Sequence, residues 1–282
     1  MLEGVILLWF VLTAGAVAFV VWDSVTNTPT SWVQQLAWIL VTIYTGPIGA
    51  FVYLLACRSP GRGLHDLFTR ALWKQGVNSE MHCLAGDATG IVIAAAIVPT
   101  FRLPNGIDLV IEYASAFVVG LFVFQALMMV GMYGGNYLLA VRKTLFAETV
   151  SMNTVIVGMI PAMVILTSRI PASRNPRSPD FWFVTGMAAI AGGITAYPIN
   201  WWLVKNRLKH GCMTLPGRDQ PAPCLGHCSS EAPAFPAMAH EHHMEMRELP
   251  LGVATAWTIG TFLLMLGAAW LAALVAPISF TR

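Results

Sequence analysis

Residues 181–207 read FWFVTGMAAIAGGITAYPINWWLVKNR, and this stretch decides the fold. From Phe181 to Val204 no side chain is charged, a run long enough for a helix to cross a hydrocarbon core of roughly 30 Å. Trp201-Trp202 followed by Lys205 and Arg207 is a membrane-exit signature, with indole rings at the headgroup level and cations beyond them. Working outward, comparable apolar stretches occupy Gly4–Trp22, Trp32–Cys57, His82–Pro99, Ile107–Ala140, Thr149–Ser168 and Gly252–Ala276. The reading is an all-α polytopic integral membrane protein with about seven transmembrane helices. Composition agrees: of 282 residues 56% are hydrophobic and only 11% charged, against about a quarter charged in globular chains. That balance excludes a soluble enzyme, a disordered chain and a fibrous protein. A net charge of +2 is too small to point to nucleic acid. Five cysteines, an odd count, do not make a disulfide framework.

Four regions follow. Residues 1–30 are an N-terminal anchor helix, retained because the basic n-region of a cleaved signal is missing. Residues 31–210 are the membrane core, 211–249 a polar loop, and 250–282 carry a C-terminal transmembrane helix. Gly46-Pro47 should kink the second span. The fourth is longer than a bilayer needs and should break near Gly131, Gly134 and Gly135. Proline recurs at 216, 221, 223, 233 and 236, which argues against helix in the loop. With seven crossings, Arg58, Arg62, Arg70, Lys74, Arg142, Lys143, Lys205, Arg207, Lys209, Arg218 and Arg247 share one face. Arg102, Arg169, Arg174, Arg177 and Arg282 fall on the other. The richer face is expected to be cytoplasmic, which puts the N-terminus inside and the C-terminus outside a bacterial inner membrane.

Polar residues in so apolar a chain are the candidates for chemistry. His82, Cys83 and Asp87 combine imidazole, thiol and carboxylate, donors for soft or borderline metals. His82 and Asp87 are five apart and share a helical face poorly; the competing reading is an interfacial helix start. Asp108 and Glu112 lie one helical turn apart, and Glu148 opens the fifth span. Carboxylates inside a bilayer are costly and usually face a cavity, a partner or an ion path, which puts Glu112 first and Glu148 next. Met128 and Met132, then Met152 and Met159, form helical stripes whose thioethers would suit Cu(I), although such stripes are more often packing. Gln125 is an amide that needs partners. In the loop, Cys224, His227, Cys228, His240, His242 and His243 are a compositional signal for labile metal binding. Pro198 should free a carbonyl which, with Tyr197 and Asn200, would line a polar cavity. No nucleotide loop, dinucleotide fingerprint or nucleophile elbow occurs, so neither a nucleotide cofactor nor a catalytic residue is assigned.

Several of these segments resemble a bacterial and archaeal membrane family, domain of unknown function 4396. They are Gln34–Trp38 through Tyr44–Pro47, His82-Cys83, Glu112–Ala114 through Phe124-Gln125, Ala147–Ser151, Gly158-Met159 and, most specifically, Tyr197–Val204. The likeness runs from about Val33 to Met213. It departs at Ala85, where the family carries a second cysteine before its Gly-Asp pair, and at Glu148, where the family has aspartate. The resemblance implies a polytopic helical fold and supplies no activity.

The functional expectation is therefore a membrane protein that handles a soft transition metal, copper first and zinc second, as permease or membrane-bound chaperone. Its partners would be the lipid bilayer and the metal ion. A second reading is a non-catalytic accessory subunit that packs against other membrane subunits of a respiratory or metalloenzyme complex. A third is an ion-coupled transporter of a small solute.

Overall fold

The computed structural model describes residues 2–61, 63–101, 103–215 and 246–276. Among these, six helical runs are long and apolar enough to cross a membrane. They are α1 (Leu2–Asn27), α5 (Leu72–Ile97), a composite run Gly106–Tyr133, α8 (Tyr137–Arg169), α9 (Pro179–Lys205) and α10 (Leu251–Ala273). The composite run joins α6 (Asn105–Val118), a π-helical segment Val119–Gln125, α7 (Ala126–Met129) and a 3₁₀ turn Val130–Tyr133. Its expected break is where the glycines are: Gly134 and Gly135 take φ of 59° and 83°, and the Asn136 side chain caps α8. The π segment has no counterpart in the sequence reading.

The expected second span does not cross. It is a hairpin of α2 (Trp32–Thr45) and α3 (Pro47–Ala56), turned by Gly46 at φ 59°, with Pro47 at the first position of α3. A Cβ placed on Gly49 would lie 3.0 Å from Thr42 Cα and 3.2 Å from Val41 O. In a continuous helix, residues that far apart in sequence are separated by about 10 Å at a rise of 1.5 Å each. The Trp38 and Tyr53 rings pack at 5.5 Å, and one residue, Asn78, accepts from Gln34 Nε2 (3.1 Å) and Trp38 Nε1 (3.2 Å) while donating to Ala56 O (2.9 Å). Both ends of the hairpin therefore stand at one level. Its tip is deep: Gly46 abuts Trp9 and Thr13 of α1, and the Tyr44 hydroxyl bonds Thr89 of α5 at 2.9 Å. At its base, Tyr53 Oη and Arg58 Nε both donate to the buried Asp23 carboxylate, at 2.8 and 3.1 Å.

Among the described residues, six helices long and apolar enough to cross and one hairpin stand where seven spans are expected. Six crossings would put Leu2 and Ala276 on the same face, where seven would put them on opposite ones. Reporters placed at the N-terminus and after Arg177 should read the same side, opposite to a reporter after Arg70. Agreement between the N-terminal and Arg70 reporters would show that the hairpin crosses after all.

α5 is the central helix. Its most apolar window is 72% buried, against 17% for α1 and 11% for α10, so polar side chains on α5 face protein and those outer helices face outward. Small residues permit the packing: a Cβ on Gly86 would lie 2.6 Å from Gly120 Cα, and one on Gly90 would fall at 2.6 Å from Ala116 N. Close backbone approach of this kind is how membrane helices gain contact without a solvent-driven term. Gly90→Val should accordingly cost about 1–3 kcal/mol by overpacking, read as a lowered melting temperature in detergent.

Candidate functional site

α5 begins at Leu72, well before the expected His82. The polar run that reads as a loop is buried on all sides: Asn78, Ser79, Glu80 and His82 are each no more than 2% exposed. Cys83 and Asp87, four apart on α5, share a face, and both are fully buried. Glu148 does not open a span. It lies about 16 Å along α8 at 1.5 Å per residue, where it is fully buried opposite Cys83.

The Cys83 thiol donates to Glu148 Oε2 at 2.8 Å and accepts from Lys209 Nζ at 2.7 Å. Lys209 Nζ also donates to Asn200 Oδ1 (2.7 Å), which accepts from Ser151 Oγ (2.9 Å). Gln125, from the π segment, points its amide nitrogen at Cys83 Sγ from 3.9 Å. Five elements thus contribute to one centre. Gly120 makes room for its acids: a Cβ there would collide with Glu148 Oε1 and stand 3.0 Å from Asp87 Oδ1.

The centre is incompletely satisfied. Both Asp87 oxygens, Glu148 Oε1 and Gln125 Oε1 are buried without a hydrogen-bond partner among the described residues, and so, beside the His210 ring, are both nitrogens of His82. A buried polar group left so costs about 1–3 kcal/mol, more when charged. One thiol and two carboxyl groups together fit a borderline divalent cation better than Cu(I), which favours soft sulfur donors. Among the described residues these donors do not stand at metal-binding spacing.

Lys209 and His210 were not foreseen as site residues. Past α9, Arg207 adopts φ 57° and the chain turns back, so that Lys209 (3% exposed) and His210 (2%) plug the bundle. The His210 ring lies 5.7 Å from that of His82, and burial pushes its pKa down to about 4, so the imidazole is neutral at physiological pH. The only sequence signal for this plug was a Lys-His pair in a basic stretch, which reads as a topology marker.

Other expected residues stand apart. Met152 and Met159 are buried in the hydrophobic core, and Met128, in the same core, accepts a hydrogen bond from Ser31 Oγ at 3.4 Å through its sulfur. Met132 is half-buried. Met128, Met152 and Met159 thus lie in the hydrophobic core, away from the Cys83 centre. Glu112 is half-buried, one turn from Asp108, and makes no hydrogen bond or ion pair among the described residues. Tyr197 and Asn200 do not share a cavity: Asn200 joins the centre, whereas Tyr197 and Pro198 line an outward pocket with Trp201, Trp202 and Trp257. Cys224, His227, Cys228, His240, His242 and His243 lie outside the described residues.

Residues 72–209 match the family described as Domain of unknown function (DUF4396). This chain carries a DUF4396 domain. The matched stretch holds every side chain of the centre, from Cys83 on α5 to Lys209 as its last residue. The hairpin lies before it. No curated protein and no solved structure matches the chain.

Proposed function

We propose that this DUF4396 protein moves a borderline transition-metal cation across a membrane, zinc ahead of copper, by exchanging it with its own Lys209. The observation that carries this reading is the ammonium of Lys209 on the Cys83 thiol, beside two carboxylates with unpartnered oxygens. An isolated ammonium or carboxylate in a low-dielectric interior is strongly disfavoured, so each cation that leaves the centre must be replaced by another. Lys209 is a cation that cannot diffuse away, because the turn after α9 tethers it. When a metal ion enters, Lys209 withdraws and Cys83, Asp87 and Glu148 close on the ion. The thiol must lose its proton to ligate, so uptake is linked to proton release.

The basic-rich face, where Lys209 enters the bundle, is the cytoplasmic one in this reading by the positive-inside rule. Both termini are then on the far side of a bacterial inner membrane. Zinc content of protein purified in detergent, and zinc flux in proteoliposomes with a pH-sensitive dye inside, test the proposal together. Metal-free protein with no flux for Zn(II) or Cu(I) would remove it.

Two other readings draw on separate observations. The apolar faces of α1 and α10 suit an accessory subunit, which stable co-purifying membrane chains would favour. A cavity of about 310 Å³ between the hairpin, α5 and α9, with Glu80, Thr45 and Tyr197 in a mostly apolar wall, suits a small solute. Neither accounts for the lysine seated on a thiol.

A further inference from the structure

Away from the Cys83 centre, three donors that are remote in sequence meet at the base of the hairpin. Cys57 ends α3, His65 opens the short helix α4 (His65–Thr69), and Cys212 follows the Lys209 plug. The two sulfurs and one imidazole nitrogen all lie within 4.8 Å of one another. Cys57 and His65 are fully buried, Cys212 is half-buried, and both thiols are free.

We propose that Cys57, His65 and Cys212 form a binding site for a thiophilic d10 ion, Zn(II) or Cu(I), independent of the Cys83 centre. Two thiolates and a neutral imidazole are the donors such ions select. Small side-chain rotations would bring them to the 2.0–2.3 Å bond lengths of zinc, leaving a fourth position open. The ring is already aimed: His65 Nδ1 is 2.7 Å from Thr214 Oγ1, and Nε2 is 3.9 Å from Cys212 Sγ. Nε2 also lies 3.0 Å from Cys57 O. A metal ion at Nε2 would break the contact with Cys57 O, release the protons of the two thiols and have Nδ1–H donate to the Thr214 hydroxyl, the arrangement that ordinarily orients a ligating histidine. The strand-like pairing of Thr30 with Thr214, with Leu215 N donating to Pro29 O at 2.8 Å, holds Cys212 in place. An ion here would tie the exit of the hairpin to the segment that carries Lys209.

The test uses the full chain with Cys83, Cys224 and Cys228 replaced by serine, so that Cys57 and Cys212 are the only thiols and the proposed transport centre is disabled. Co(II) added to the reduced protein should give a thiolate charge-transfer band, which the histidines of the loop cannot produce, and Zn(II) or Cu(I) should bleach it. His65→Ala or Thr214→Val in that background should weaken Co(II) binding about tenfold or more, as loss of a ligand or of its orienting partner does. Both should leave the elution profile in detergent unchanged. A folded three-serine protein with no thiolate band overturns the proposal. So does a band that both additional variants leave intact.

Discussion

Replacing Lys209 by glutamine should tighten zinc binding at the Cys83 centre while stopping zinc flux. In the proposed exchange an entering divalent ion displaces the Lys209 ammonium, which sits 2.7 Å from Cys83 Sγ and 2.7 Å from Asn200 Oδ1. Two unit charges about 4 Å apart repel by about 4 kcal/mol at the effective dielectric of partly buried sites, and a divalent ion feels more. Protons taken up by Asp87 and Glu148 in the variant would offset part of the gain. A residue of about 1.4 kcal/mol is still a tenfold lower Kd, readable by competition with a chelating dye. Release would suffer for the same reason, because no tethered cation remains to take the ion's place. A lysine that merely fastens the plug predicts the opposite pair: weaker binding and a lower melting temperature. Tighter binding without flux separates exchange from fastening.

How much of this was legible in the sequence depends on which physical signal each part carries. Runs such as Phe181–Val204 announce their helices because lipid imposes one requirement on every residue. The hairpin was not legible, since an apolar stretch of that length reads the same whether it crosses or folds back. Gly46-Pro47 marks an interruption, and only the contacts of Gly49 with Val41 and Thr42 show its angle. The start of α5 was hidden for the opposite reason. Lys74 to His82 is polar enough to read as a loop, yet its side chains are turned toward other helices, and hydropathy cannot distinguish burial in protein from exposure to water. Cys83, Asp87 and Glu148 could be named as candidates because charge and thiol are rare in such helices. Their partner Lys209 could not, because its approach depends on a reversal of chain direction after α9. The methionine stripes were legible as stripes, but the sequence holds nothing that tells a ligand from a packing group.

Glu148→Gln and Glu112→Gln should behave as opposites, although both remove one carboxylate from a membrane helix. Sequence alone ranks Glu112 first, as the deepest acid in its span. The structure leaves it half-buried on α6 beside Asp108. Glu148 is fully buried, accepts from Cys83 and shares the space over Gly120 with Asp87. In Glu148→Gln the amide oxygen can still accept from the thiol, so folding is preserved. The centre nevertheless loses one of its two carboxyl groups, and with it one of the ligands the proposed exchange requires. Zinc affinity should fall about 10–100-fold, the range seen even for groups one step removed from a metal, and flux should fall with it. Glu112→Gln should leave both within about twofold, since substitutions away from such networks shift energies by about half a kcal/mol or less. Isothermal titration with Zn(II) in detergent and flux in proteoliposomes give both values for each variant. If Glu112→Gln abolishes flux while Glu148→Gln does not, the ion path follows α6, and Cys83 with its lysine is a structural lock.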